Sequence, residues 1–122
     1  MSAESLNPTE PKPNPINVHA ALARMDGDKE TFQGLAQMFL DRADGLVETI
    51  RLAIEQRDVD STYQAIHKLD GSLTTFYAVP AMETTNLLRN SCQAANWDDA
   101  VNLLERLKGK MAEVCDALRQ HL

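Results

Sequence analysis

Three histidines, two cysteines and 18 carboxylates are the side chains from which chemistry could be assembled in this sequence. Their spacing excludes most arrangements. There is no Glu-x-x-His pair of the di-iron type, no His-Glu-x-x-His, no Gly-rich phosphate loop and no Gly-x-Ser-x-Gly elbow. No metal site, no cofactor and no self-contained enzyme is therefore expected. Cys92 and Cys115 form no Cys-x-x-Cys and each sits among apolar residues at helical spacing, which reads as two buried thiols, with a disulfide or a reactive thiol as the alternative.

One histidine has a distinctive setting. Thr62, Ile66, Leu69, Leu73 and Phe76 form an apolar stripe centred about 130° from His67, at roughly 100° per helical residue. His67 then faces solvent, with Asp60, Tyr63, Gln64, Asp70, Gly71 and Thr74 on its side of the helix. A glycine in an exposed helix costs about 1 kcal/mol relative to alanine, so Gly71 calls for a packing or a docking reason. An exposed imidazole with an open flank is a nucleophile that another protein's active site can approach. An ordinary surface histidine beside a tolerated glycine fits the same spacing.

The elements that position it are legible as helices. Five Gly and five Pro are present, and four of the prolines lie within residues 1–16, which read as a flexible, proline-rich N-terminal tail. Asn17 can cap a short helix through Val18, Ala21, Leu22 and Met25, ended by Asp26-Gly27-Asp28. From Asp28, apolar residues from Phe32 to Ile54 recur every three or four positions over nearly thirty residues. Asp58 or Asp60 can cap the helix that carries His67. Pro80 suits the first turn of the next helix, whose seam is Ala81, Thr85, Leu88, Cys92 and Ala95. Asn96 with Asp99 opens the last one, with Val101, Leu104, Leu107, Met111, Val114, Cys115, Leu118 and Leu122 facing inward. Short connections make neighbours antiparallel, so helices starting near residues 28, 59, 80 and 97 close an all-α up-and-down four-helix bundle over residues 17–122, with a short extra N-terminal helix.

Charge and length narrow the partners. The net charge of -6 opposes the phosphate field of nucleic acid and of anionic membranes. No apolar stretch approaches the roughly 18 residues of a membrane span, and no leader pattern opens the chain, so a cytoplasmic location is expected.

The stretch Ala65-Ile66-His67-Lys68-Leu69-Asp70-Gly71-Ser72, with Ala78 eleven residues after the histidine, resembles the signature of histidine-containing phosphotransfer (HPt) domains. In outline that signature is His-x-Leu-Lys-Gly-Ser, then Gly-Ala after a further turn. Residues 17–122 resemble the whole domain in length and helix order. The resemblance implies a free-standing, monomeric phosphorelay carrier. His67 would accept a phosphoryl group from the receiver domain of a hybrid sensor histidine kinase and pass it to that of a response regulator. It further implies that Gly71 clears space for the receiver, that Lys68 sits near the phosphoryl oxygens, and that Gln64 hydrogen-bonds the imidazole or the receiver. Tyr63, Gly71 and Thr74 would border the docking surface.

Two positions depart from the signature: Asp70 stands where it has lysine, and Tyr77 where it has the later glycine. At about 6 Å and an effective dielectric of 20–80, an anion at residue 70 acts on a neighbouring unit charge with roughly 1–3 kcal/mol, against a phosphoryl group. A phosphate-silent adaptor that only docks receivers is the alternative function. A bundle used for dimerisation is a third.

Overall fold

The structure, a computed structural model, describes residues 14–122. Its helices are α1 (Val18–Arg24), α2 (Lys29–Glu55), α3 (Val59–Thr75), α4 (Val79–Gln93) and α5 (Trp97–Arg119), with no strand among the described residues. The part of the proline-rich tail over residues 1–13 lies outside the described residues.

Four helices begin on a polar side chain that accepts from the first turn, where backbone N–H groups have no partner within the helix. Asn17 Oδ1 accepts from Ala20 N–H at 3.0 Å, and Asp28 Oδ1 from Glu30 and Thr31 at 3.0 and 3.2 Å. Asp58 Oδ1 accepts from Ser61 at 3.2 Å and Asn96 Oδ1 from Asp99 at 3.3 Å. The fifth, α4, starts at Ala78 with no side-chain cap and carries Pro80 in its first turn, where the missing N–H leaves nothing unpaired.

Three of the helix ends share one geometry. At the ends of α2, α3 and α4 a single residue, Arg57, Tyr77 or Ala95, takes positive φ (53°, 51° and 55°). The next residue then donates its N–H back to the last turn: Asp58 to Ala53 (3.2 Å), Ala78 to Leu73 (3.1 Å), Asn96 to Ser91 (2.8 Å). This is the Schellman motif. The residue that closes one helix is also the N-cap of the next, so the chain reverses within three residues and neighbours run antiparallel. Glycine favours the left-handed region, yet none of these three positions carries one.

The four long helices pack as a ring, α2 on α3, α3 on α4, α4 on α5 and α5 back on α2, with α1 against α2. Phe76, at the C-terminus of α3, is the aromatic hub: Phe32 and Phe39 of α2 meet it edge-on, with centroids at 5.5 and 5.8 Å. Edge-to-face contacts at such distances add about 0.5–1.5 kcal/mol each beyond burial. Cys92 and Cys115 are buried free thiols.

Three inward assignments from sequence change. Val101 and Leu122 are 52% exposed. Val101 lies roughly 100° from the centre of the stripe formed by Ala100, Leu104, Leu107, Met111 and Leu118, at its rim, and Leu122 lies beyond the end of α5. Ala95 is exposed in the turn that follows α4. In the other direction, Ile16, read from sequence as tail, is buried in the core cluster, and Asn17 N–H donates to Phe76 O at 2.9 Å. No helix among the described residues is long and apolar enough to cross a membrane.

Candidate functional site

α3 is one-sided. Thr62, Ala65, Ile66, Leu69 and Leu73 are buried, while Tyr63, Gln64, His67, Lys68, Gly71 and Thr74 are exposed. The helical phase read around His67 is thus the phase of the structure. Tyr63, one turn earlier and 45% exposed, lays its ring parallel to the imidazole, with centroids 6.2 Å apart and planes 3° apart. Gln64 and Lys68 flank the histidine on the same helix and are exposed.

Gly71, one turn after His67, has nothing within 4 Å of where a Cβ would stand. Packing inside the domain therefore gives no reason for a glycine there. The same openness holds at Gly34, Gly45 and Gly109, so the feature particular to Gly71 is its place beside the histidine. Thr74 turns its hydroxyl inward along the helix, donating to the Asp70 carbonyl at 2.8 Å.

Asp70 is the residue whose surroundings differ most from expectation. It is not an unpaired anion beside His67. Its carboxylate turns to α4, where Thr85 Oγ1 donates to Oδ1 at 2.5 Å and Arg89 pairs with Oδ2. The Asp70 and Arg89 side chains are only 19% and 23% exposed, and Thr85 is fully buried. The other ion pairs among the described residues join positions three or four apart on one exposed helix face, where such pairs contribute little. Thr85 and Arg89 are the neighbours that sequence reasoning missed. Their signal was present: Arg89 is the one basic residue of α4, and it shares a face with Thr85 at i, i+4.

Tyr77, the other departure from the signature, occupies a left-handed position at φ 51°, which favours glycine for want of a Cβ. Its ring lies under the Arg24 guanidinium at 5.9 Å. The other histidines are placed differently from His67. His121 stands edge-on to Phe32 at 5.9 Å, and both His19 and His121 line a groove with Tyr77, Pro80 and Asp116 at the far end of α3. No group of three or more His, Cys, Asp or Glu among the described residues could hold a metal ion.

A four-helix bundle that presents one histidine mid-helix with an open flank has the architecture a histidine phosphotransfer module needs. The family model for the Hpt domain matches residues 34–121, from within α2 to two residues past the end of α5. The chain belongs to the Hpt domain family and serves histidine phosphotransfer in two-component signalling. Such domains are phosphotransfer carriers that interact with receiver domains. No curated protein and no solved structure matches the chain significantly.

Proposed function

We propose that His67 is the phosphoryl carrier, accepting from the phospho-aspartate of one receiver domain and donating to the aspartate of another. The partners are the receivers of a hybrid sensor histidine kinase and of a response regulator. The observation that carries this reading is the solvent-facing imidazole of His67 with open space over Gly71 one turn away.

In the forward step the lone pair of neutral imidazole Nε2 attacks the phosphorus of the aspartyl phosphate. The acyl P–O bond breaks, the aspartate leaves as carboxylate, and a P–N bond forms on His67. The reverse sequence loads the next receiver. The receiver supplies the metal ion and the charge stabilisation; this chain supplies a positioned nucleophile and a docking face. In this reading Gln64 and Lys68 flank the phosphoryl group, Asp70 and Gly71 lie on the following turn, and Tyr63, Gly71 and Thr74 border the receiver.

Incubation with a phosphorylated receiver tests the assignment. Label stable to alkali and labile to acid, lost in His67→Gln and retained in His19→Gln and His121→Gln, is the expected result. Receiver binding with no label on any histidine would establish the adaptor instead.

A further inference from the structure

Asp70 places a carboxylate on the helical turn after His67, where negative charge acts against a phosphoryl group. Two side chains of α4 hold that carboxylate, one on each oxygen. We propose that Arg89 and Thr85 are positioning residues for His67: they draw the Asp70 carboxylate to α4 and neutralise it, so that the histidine is phosphorylated without an opposing charge. This rests on His67 being the carrier.

The geometry follows from the register of the two helices. Asp70 meets Thr85, and Thr62 lies against Cys92, so α3 and α4 run antiparallel with Arg89 level with the turn Ala65–Ile66. To reach Asp70 the Arg89 side chain runs back along α3 past the level of His67. The pair is the one inter-helix ion pair among the described residues. It is largely withdrawn from water, so screening weakens it less than an exposed pair. A guanidinium suits this task because it stays charged at every working pH and can hold a carboxylate while Thr85 serves the second oxygen. With Arg89 removed, Oδ2 loses its partner and Thr85 alone holds Oδ1. The carboxylate is then free to take another rotamer of its helix, and its charge acts uncompensated on the neighbouring turn.

The test uses ammonium phosphoramidate, which needs no receiver. Its P–N bond breaks, the phosphoryl group passes to an imidazole nitrogen of His67, and ammonia leaves with the proton the ring gives up. Loading is read as the mass of one phosphoryl group on the intact protein and by phosphorus NMR. It is followed in the wild type, Arg89→Gln, Asp70→Asn, Asp70→Asn/Arg89→Gln and Arg89→Lys, each checked for helicity by circular dichroism.

The expected result is that Arg89→Gln lowers the loading equilibrium by about three- to a hundredfold, the range set by one unit charge near 6 Å at an effective dielectric of 80 to 20. Asp70→Asn/Arg89→Gln returns to within about twofold of the wild type, and Arg89→Lys largely keeps it, since the effect lies in the Asp70 charge. The deficit of Arg89→Gln also shrinks at high salt. A double variant as poor as Arg89→Gln would overturn the proposal, because Arg89 would then act on the phosphoryl group itself. Equal loading in all five proteins would overturn it too, leaving the pair a brace between helices. Loading that is undiminished in His67→Gln marks a different failure, that of the carrier assignment.

Discussion

The Tyr63 ring stacks parallel to the His67 imidazole one helical turn away, with 6.2 Å between centroids. Tyr63 is itself 45% exposed, so its ring offers apolar surface to a partner that approaches His67. Truncating an aromatic side chain that a partner buries costs about 1–2 kcal/mol, or roughly five- to thirtyfold in an equilibrium. Tyr63→Ala is expected to weaken receiver binding within that range, while Tyr63→Phe retains it. Titration calorimetry against a receiver domain measures both, and unchanged affinity in Tyr63→Ala would remove Tyr63 from the docking face.

Gly71→Ala is expected to raise stability by up to about 1 kcal/mol, because the site is exposed, helical and open around the missing Cβ. Gly71→Gln should keep the helical circular dichroism but slow phosphotransfer, since its side chain extends beside His67. Thermal melts and transfer rates on the two variants separate access from folding. Unfolding of Gly71→Gln would mean that the position serves packing.

Ala95 sits at φ 55° in the turn between α4 and α5 and is exposed, so its methyl group adds strain without burial. Ala95→Gly should stabilise the domain by up to about 1 kcal/mol in urea unfolding. Tyr77→Gly is expected to gain less or to lose, because the same relief at φ 51° is offset by the lost contact with Arg24. Equal gains at both positions would show that the Tyr77 ring contributes nothing.

Burial pushes the thiols of Cys92 and Cys115 above their ordinary value of 9.0. The neutral thiols are favoured in the folded state, so this contribution to stability is intact below about pH 8.5 and is lost as pH rises through the folded values. Both thiols should react with an aromatic disulfide at the rate of opening of the bundle, and rapidly in denaturant. Urea midpoints measured across pH 7 to about 10 should fall on the alkaline side, and the fall should flatten in Cys92→Ala/Cys115→Ala. Fast labelling in native buffer would contradict their burial.

Helix number, order and phase follow from local terms that one sequence contains. The polar caps at Asn17, Asp28, Asp58 and Asn96 satisfy N–H groups within three residues of themselves, and the three-to-four spacing of apolar residues selects the buried face without knowledge of what covers it. The exposed position of His67 and the open flank at Gly71 were legible for that reason. Other features depend on residues far apart in the chain. The partners of Asp70 lie 15 and 19 residues away on α4, and only the register of two antiparallel helices brings them together. Ile16 joins the core cluster where the Asn17 N–H meets the Phe76 carbonyl, and Val101 stays exposed because no neighbouring helix covers its side of α5. The left-handed turns at Arg57, Tyr77 and Ala95 carry no glycine, so local preference does not announce them; the packing of the helices on either side imposes that φ on whichever residue stands there.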